Sequence, residues 1–418
     1  MRLRIRSLVL PASLTLGLVT ATACAPASPT VNDEGVSSAR LQRLSSAMQR
    51  AVNDGELAGL VTLVAHRGRI AHHEAFGHLD REAGVAMGRD AIFRIASMTK
   101  PVTSVAAMML MEEGRLLLND PVRKFLPAFE QTTVMGATPG DRVAARRPIT
   151  VRDLLTHTAG VSYGTGPLEA LYKQHDLYYW YFAHRAEPIG ETMTRLAALP
   201  FAAQPGERWV YGFGTDILGA VVEQASGQTL DAFFEERIFA PLGMRDTSFY
   251  LPPEKRSRLA AVYSSDADGL TRAPEAWIGQ GDYVEGPRQS FSGGAGLLST
   301  AGDYARFLQM LLNGGELEGA RLLSPTTVAL MTSDHVGTLY DTSGGLGFGL
   351  GFETVEHVGR AGRPSSAGEY SWAGAYFTEF WVDPAHEVVA VFMAQLLPAR
   401  SVPVRDRFRA LVYQAIVE

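Results

Sequence analysis

The segments of this chain that read as β-strands lie close to its two ends, and this distribution constrains the fold more than any other feature. Near the N-terminus, GLVTLVAHRGRIAHHEAFG (residues 59–77) reads as two strands about a turn at Arg67 and Gly68. Near the C-terminus, YFTEFWVDP and EVVAVFMAQ read as two more strands, joined by a turn at Asp383 and Pro384. We therefore expect one sheet that is built from both ends of the chain.

The middle of the chain, from about residue 115 to residue 285, is instead predicted to form helices and loops, with Pro and Gly residues at the helix ends. Amphipathic helices are also predicted at 36–53 and 402–417. The predicted fold class is α/β (α+β), an antiparallel sheet flanked by helices, with a mainly helical domain inserted into it. The expected boundaries are residues 36–115 and 286–418 for the sheet domain and residues 116–285 for the inserted domain.

Composition narrows the classes of function. With 418 residues, of which 46% are hydrophobic, the chain is long enough to bury a large core. The formal net charge of −6 and the lack of a basic patch argue against a nucleic-acid partner. HEAFGH at residues 73–78 has one residue too many for the zinc helix motif and lies in a predicted strand. We therefore expect neither a metal site nor a cofactor.

The first residues have the layout of an export signal. Three arginines precede an apolar run from Leu8 to Val19, and small residues follow that run. The run is too short to span a bilayer as a helix. We predict a signal peptide at 1–23 and a flexible tether at 24–35. The mature protein would then lie in the periplasm or cell envelope, or be secreted.

Cys24 is the only cysteine of the chain, so no disulfide can form within it. It follows Ala21-Thr22-Ala23, which resembles a lipobox, in which the cysteine becomes the lipidated first residue of the mature protein. The same Ala-x-Ala also suits ordinary signal peptidase. Two outcomes stay open: attachment to a membrane through a lipid on Cys24, or release of a protein without an anchor.

FRIASMTKPVTSVAAMMLMEEG (residues 93–114) predicts an apolar helix that begins near Ser97 and holds Lys100 in its first turn. A cation there faces the positive end of the helix dipole, and apolar neighbours would remove it from water; both effects disfavour charged lysine. Ser97 and Lys100 share one helix face at i and i+3. Lys100 could therefore activate the Ser97 hydroxyl as a base. The spacing alone also fits a helix cap followed by a solvent-exposed lysine.

A longer run gives this pair a context. FRIASMTKPVTSVAAMMLMEEGRLLLNDPVRKFLPAF resembles the start of the active-site domain of serine β-lactamases, D-Ala-D-Ala peptidases and family VIII carboxylesterases. ITVRDLLTHTAGV, PLGMRDTSF and GAGLLSTAGDYARFLQMLLNGG are similar to further segments of these enzymes, in the same order. The resemblance covers residues 36–415. It implies the β-lactamase/transpeptidase-like fold and a serine hydrolase that forms an acyl intermediate on Ser97.

The resemblance also implies the other site residues. Tyr211 matches the catalytic tyrosine of the family's second motif, so that Lys100 and Tyr211 would share the role of general base as a coupled pair. The third motif matches Trp372-Ala373-Gly374 on a core strand. By family position, the backbone N–H groups of Ser97 and Ala375 would bind the oxyanion. The substrate pocket would be lined by Trp372, Gly374 and Phe213.

Two departures from the family pattern limit the classes of substrate that we expect. β-Lactamases and peptidases place a lysine where this chain has Trp372, and an asparagine where it has Phe213. An indole cannot neutralise a carboxylate, and a phenyl ring cannot bond an amide. We therefore expect a neutral small-molecule ester with a short or medium acyl group, as in family VIII carboxylesterases. Weak hydrolysis of cephalosporins, or acyl transfer to an alcohol other than water, stays open.

Two other functions stay open from the sequence alone. A class C-like β-lactamase or D-Ala-D-Ala carboxypeptidase would need another partner for the substrate anion, for which Arg360 and Arg363 are candidates. A non-catalytic binding protein of the cell envelope would keep the fold without the chemistry. The intact Ser97, Lys100 and Tyr211 argue against that second alternative.

Two further patterns invite a functional interpretation. Gly160-x-Ser162-x-Gly164 satisfies the nucleophile elbow of α/β-hydrolases, but it follows a predicted helix rather than a strand. Ser162 is therefore not expected to be the nucleophile. LEALYKQHDLYYWYFAHRAEP concentrates six aromatic residues in the inserted domain. These rings would form either a wall over the acyl pocket or the core of a helix.

Overall fold

The structure is a computed structural model that describes residues 35–138, 140–267, 269–276, 279–398 and 402–418. The predicted signal peptide, Cys24 and nearly all of the predicted tether lie outside these residues. No helix of the described part is long and apolar enough to cross a membrane. Its helices are, in chain order, α1 Ser38–Asn53, α2 Thr99–Glu112, α3 Val151–Leu155, α4 Glu169–Gln174, α5 Ile189–Ala197, α6 Gly214–Ser226, α7 Leu230–Phe234, α8 Ala240–Leu242, α9 Ala301–Leu312, α10 Pro325–Met331, α11 Val358–Ala361 and α12 Val404–Tyr413.

One large antiparallel sheet organises the strands. The strands are β1 Gly59–His66, β2 Arg69–Asp80, β3 Val85–Ala86, β4 Phe93–Arg94, β5 Thr133–Met135, β6 Arg142–Ala144, β7 Tyr263–Asp266, β8 Gly269–Arg272, β9 Leu298–Ser299, β10 Glu316–Leu317, β11 Ala320–Arg321, β12 Leu346–Phe348, β13 Glu353–Val355, β14 Tyr370–Gly374, β15 Thr378–Asp383 and β16 Val388–Ala394. Eight of these form the large sheet, in the order β12-β13-β14-β15-β16-β1-β2-β3. The others pair in two-stranded sheets.

The two ends of the chain meet at β1. On one side β1 pairs with β16, from Leu60 opposite Ala394 to His66 opposite Val388. On the other side it pairs with β2 through a tight turn, in which Arg67 and Gly68 have φ angles of 50° and 75°. This turn geometry is typical of a two-residue hairpin. The predicted sheet from both chain ends, and with it the predicted fold class, is confirmed.

The sheet buries both of its faces because successive side chains of β1 point in opposite directions. Val61 and Leu63 belong to the main core, which α2 and α9 share. Leu60 and Val64 face the second core, which contains residues of α1 and α12. A strand covered on both faces needs apolar residues at nearly every position, and all eight residues of β1 are buried.

Helices dominate the segment between α2 and β9. The buried helix α6 packs against α2, α3 and α5, and so joins this segment to the sheet domain. The segment also contains two short hairpins, β5–β6 and β7–β8, which the sequence analysis did not anticipate. Their strands have only three or four residues each, too few for an alternating pattern to stand out. The boundaries expected for the inserted domain stay a prediction.

Candidate active site

Ser97 lies on a sharp turn at the entrance to α2. The 3₁₀ turn Ala96–Met98 precedes the helix, and Ala96 has a φ of 40° in the left-handed region. That conformation costs a residue with a Cβ about 1–2 kcal/mol, so the surroundings must hold it in place. The Tyr304 hydroxyl donates to the Met98 carbonyl at 2.7 Å, and the Leu297 N–H donates to Thr99 Oγ1 at 3.0 Å. Neighbouring segments thus fix the turn that presents Ser97.

Lys100 is buried, with 1% of its surface exposed, and its amine points at Ser97. Its Nζ donates to the Gly294 carbonyl at 2.8 Å, to the Tyr163 hydroxyl at 3.1 Å and to Ser97 Oγ at 3.2 Å. It also lies 4.6 Å from the centroid of the Tyr211 ring. All of these partners are neutral, and no carboxylate of the described chain forms an ion pair with Lys100. The amine is therefore out of water and within hydrogen-bond reach of the predicted nucleophile.

Asp216 supports Lys100 indirectly. Its Oδ1 accepts hydrogen bonds from Ser292 Oγ at 2.5 Å and from the Gly294 N–H at 3.1 Å. Burial raises the pKa of Asp216, whereas the Ser292 hydrogen bond and the Lys100 charge oppose that rise. A Cβ on Gly294 would lie 2.5 Å from Asp216 Oδ2, so only glycine fits there. The carboxyl group thus fixes the loop whose carbonyl holds Lys100.

Tyr163 is a site residue that the sequence analysis missed. Its hydroxyl accepts from Lys100, and its ring packs edge-on against Tyr211 and Phe213, with centroids 5.6 and 4.9 Å away. Burial, with smaller contributions from Tyr211 and Asp216, raises the pKa of Tyr163 well above its usual range. The phenol therefore stays protonated at neutral pH and acts as a holder of Lys100. No local signal marks Tyr163, because its partners lie elsewhere in the chain.

The neighbouring Ser162, which is not expected to be the nucleophile, bonds within its own loop. It is buried in the loop after α3, and its Oγ accepts a hydrogen bond from the Gly164 N–H at 3.2 Å. No strand leads into this loop, as a nucleophile elbow would require.

Tyr211 lies next to Lys100 and is surrounded by other aromatic rings. Its hydroxyl accepts a hydrogen bond from Trp372 Nε1 at 3.3 Å. Trp209 stacks on its ring with centroids 5.6 Å apart and planes 7° apart, and His157 packs edge-on at 4.9 Å. Burial and, to a smaller degree, the Lys100 charge lower the pKa of His157 well below its usual range. The imidazole is therefore neutral at physiological pH and serves as packing.

Strand β14 brings the predicted oxyanion donor beside the nucleophile. A Cβ on Gly374 would lie 2.3 Å from the Ile95 carbonyl oxygen, so glycine is needed for this close approach. Ala375 follows directly and lines the same cleft as Ser97. The N–H of Ser97 lies in the first turn before α2, where backbone donors have no partner within the helix. Both predicted donors therefore lie at one cleft.

The cleft at Ser97 has a volume of about 830 Å³. Besides Tyr211 and the β14 residues, two arginine–glutamate ion pairs line the cleft. Arg363 Nη2 lies 2.6 Å from Glu353 Oε1, and Arg405 Nε lies 3.7 Å from Glu379 Oε2. Arg363, which the sequence analysis proposed as an anion partner, is thus already engaged by Glu353. Its fellow candidate Arg360 is not among the described residues that line the cleft.

Phe213 departs from its predicted place. We expected it to line the substrate pocket, but it is fully buried and packs behind Tyr163. The position before α6 turns the phenyl ring into the core, where it also approaches Tyr172 and Phe182. Phe213 therefore supports the site from behind.

The aromatic segment of the inserted domain divides between core and surface. Tyr172, Tyr181 and Phe182 are buried in the main core, whereas Tyr179 is 41% exposed. Trp180 is half-buried and packs edge-on against Tyr376, with centroids 5.5 Å apart. Three of the six aromatic residues thus belong to the core. In the described residues, no group of three or more His, Cys, Asp or Glu side chains could hold a metal ion.

Comparison with known proteins gives one consistent family. The model of the Beta-lactamase family matches residues 44–414. Protein Rv1367c of Mycobacterium tuberculosis is 35% identical over 378 residues, which cover 85% of this chain and 90% of that protein. Esterase EstB of Burkholderia gladioli is 34% identical over 369 residues, covering 82% and 87%.

Two solved structures extend this similarity to the fold. The structure of EstCE1, described as a hydrolase with promiscuous acyltransferase activity, superposes with a TM-score of 0.80 at 29% identity, covering 90% of this chain and 98% of EstCE1. The structure of simvastatin synthase (LovD) from Aspergillus terreus superposes with a TM-score of 0.75 at 25% identity, covering 90% of this chain and 98% of LovD.

Proposed function

Because this chain belongs to the β-lactamase family, we propose that it is an exported serine esterase that hydrolyses neutral carboxylic esters through an acyl-Ser97 intermediate. The observation that carries this proposal is the contact of Ser97 Oγ with a buried amine that has only neutral partners. The names of two similar proteins, Esterase EstB and the hydrolase EstCE1, support the same reaction class.

In the proposed reaction, Lys100 as the neutral amine takes the proton of Ser97, and Oγ attacks the ester carbonyl carbon. The backbone N–H groups of Ser97 and Ala375 stabilise the oxyanion that forms. The carbon–oxygen bond to the alcohol then breaks, and the alcohol leaves with a proton from Tyr211. Lys100 re-protonates Tyr211. Water next attacks the acyl-enzyme in the same way, which releases the acid and restores Ser97.

The Trp372 contact suits Tyr211 to this role. The indole N–H occupies one acceptor position of the phenol oxygen, so the phenol can direct its own O–H at the leaving group. Where a β-lactamase would present a lysine to the substrate carboxylate, this cleft presents the neutral indole of Trp372. The two arginines that line the cleft form ion pairs with glutamates. A neutral ester with a short or medium acyl group therefore fits the cleft better than an anionic β-lactam or peptide.

Export is part of the proposal and is supported by the first residues alone. The three arginines, the apolar run and Cys24 after Ala21-Thr22-Ala23 are typical of a signal that ends at residue 23. We propose that the mature protein resides in the cell envelope, with a lipid on Cys24. The intact mass of the protein purified from its native membrane fraction tests this directly. A mass without added lipid would contradict the anchor.

The deciding experiment follows hydrolysis of p-nitrophenyl butyrate by the wild type and by Ser97→Ala, with Ser162→Ala as the matched serine control. We expect Ser97→Ala to lose at least 10³-fold in kcat and Ser162→Ala to stay within about threefold. Mass spectrometry during turnover should show a butyryl group on Ser97. Equal rates for wild type and Ser97→Ala, or faster turnover of nitrocefin than of the ester, would overturn the proposal.

A further inference from the structure

A second cavity, of about 300 Å³, lies in the inserted domain and shares no residue with the cleft at Ser97. It opens between the helical segment 231–239 and two loops, 247–250 and 288–291. Aromatic side chains form much of its wall: Phe239, Phe249, Tyr250 and Phe291. The Phe249 and Phe291 rings contact one another with centroids 5.4 Å apart, which makes this wall continuous.

Charged side chains of both signs line the same cavity without pairing with each other; Glu235 and Arg288 stand at its exposed rim, and Asp231 is half-buried. Asp231 and Glu235 lie four residues apart, and both line the cavity. One oxygen of Asp231, Oδ1, is buried without a hydrogen-bond donor. Across the described chain, neither carboxylate forms an ion pair, and Arg288 on the cavity's other side forms none either.

The arginine is nevertheless held in a defined place. Its Nη2 donates to the Leu251 carbonyl at 2.8 Å and to the Val284 carbonyl at 3.1 Å. Its guanidinium carbon lies 5.9 Å from the centroid of the Tyr250 ring. These contacts leave the other N–H groups of Arg288 for a ligand. The backbone beside Glu235 is also irregular, since residues 235–239 form a π-helical turn of the kind that recurs at functional sites.

We propose that this cavity binds a zwitterion, namely a free α-amino acid with an aromatic or large apolar side chain. Its ammonium group would lie between Asp231 and Glu235, close to aromatic faces that attract cations. Its carboxylate would accept paired hydrogen bonds from Arg288. Its side chain would pack on the phenylalanine rings. One such molecule offers each end of the cavity a group of opposite charge, and the volume suits a small ligand.

Titration calorimetry of the mature protein with L-phenylalanine tests this proposal. Ser97 is first blocked with a phosphonate ester, so that binding in the cleft cannot contribute. We expect saturable binding of one molecule per chain. L-Phenylalanine amide, which lacks the carboxylate, and N-acetyl-L-phenylalanine, which lacks the ammonium, should each bind at least tenfold more weakly. Choline tests for a site that needs only a cation.

Variants of the cavity test which side chains bind the carboxylate and which bind the ammonium group of the ligand. Arg288→Gln should weaken phenylalanine at least tenfold but leave its amide unchanged, whereas the pair D231N and E235Q together should weaken both compounds. Arg256→Gln, which removes an exposed arginine paired with Glu285, is the matched control and should change nothing. Unchanged ester hydrolysis by the unblocked variants shows that they are folded. Lack of saturable binding by phenylalanine, or equally tight binding of its amide or choline, would overturn the proposal.

Discussion

Lys100 and Arg409 are both buried basic side chains, but the protein surrounds them in opposite ways. Arg409, on α12, is 3% exposed and donates to both oxygens of Glu369, at 2.7 and 3.0 Å. It also reaches Glu379 at 3.4 Å and lies over the Trp381 ring. Lys100 has a hydroxyl, a phenol and a carbonyl around its amine, and no carboxylate in contact.

The difference distinguishes a basic side chain that stabilises the fold, Arg409, from one that is proposed to act in the reaction, Lys100. If Arg409 were lost, Glu369 would stay behind as a buried charge with only the more distant Arg363, at 3.7 Å, as a cationic partner, which is unfavourable. No group that is hydrogen-bonded to Lys100 carries a charge, so a substitution at Lys100 leaves no carboxylate without its partner. A buried basic side chain with neutral partners can therefore be replaced without leaving an unpaired charge, whereas one with carboxylate partners cannot.

The largest effect is expected for Lys100→Met, which should lower kcat for p-nitrophenyl butyrate by about 10³–10⁴-fold because Ser97 loses its proposed base. The free energy of unfolding should not fall, since methionine removes a desolvated amine and fills similar space. Urea titration and steady-state kinetics measure the two quantities. A marked fall in the free energy of unfolding would instead show that Lys100, like Arg409, stabilises the fold.

Arg409→Met should give the opposite result. We expect the free energy of unfolding to fall by about 3–5 kcal/mol, because the buried carboxylate of Glu369 loses its main partner. The kcat of the folded fraction should stay within twofold. Glu369→Gln combined with Arg409→Met should recover part of the loss. Full stability in the single variant would show that these charges do not depend on each other.

The two tyrosines near Lys100 sharpen the comparison further. Tyr211→Phe should lower kcat by about 10²–10³-fold, because the proposed proton donor to the leaving group is removed. Tyr163→Phe should lower it about tenfold, because only one hydrogen bond to Lys100 is lost. Esters of alcohols with low pKa values need less proton donation, so their loss with Tyr211→Phe should be smaller. A larger loss for Tyr163→Phe would exchange the two roles.

Glu223 is a third case, a half-buried acid that forms no ion pair within the described residues. Burial raises its pKa from the usual 4.5 to about 7, although the Leu230 N–H at 3.0 Å opposes this rise. The folded state therefore holds the proton more tightly than the unfolded state. Its contribution to stability is complete below pH 4.5 and is lost as the pH rises through 7.

We expect this group to remove about 2 kcal/mol of unfolding free energy between pH 4.5 and pH 8. Glu223→Gln keeps an acceptor for Leu230 and should flatten that part of the pH profile. Urea titrations at several pH values measure it, with Glu236→Gln as an exposed control on the next helical segment. An unchanged slope would mean that Glu223 titrates normally.

The smallest effect is expected for Trp372→Phe. The variant keeps an aromatic ring in the cleft but removes the N–H that Tyr211 accepts, so kcat should fall about five- to tenfold. KM for the butyrate ester should stay within twofold, because the wall of the cleft remains apolar. A rise in KM with unchanged kcat would assign Trp372 to substrate binding alone.

Local patterns predicted most of the fold. The hairpin at Arg67 and Gly68 and the apolar helix after Ser97 depend on neighbouring residues, and both form where the sequence places them. Tyr163 was missed because its contact with Lys100 joins segments 63 residues apart. Phe213 was misplaced because its motif fixes its position in the chain but not the direction of its ring. Asp216 carried an unused signal, since an acid among the apolar residues at the start of α6 needs a reason.

The meeting of both chain ends at β1 has a consequence for the newly made protein. Strand β14, which Ala375 directly follows, and strand β16, which pairs with β1, are among the last parts of the chain to be synthesised. Ser97 is made early, but the proposed oxyanion site with Ala375 forms only when those strands have joined. A chain cut short before β14 should therefore lack esterase activity.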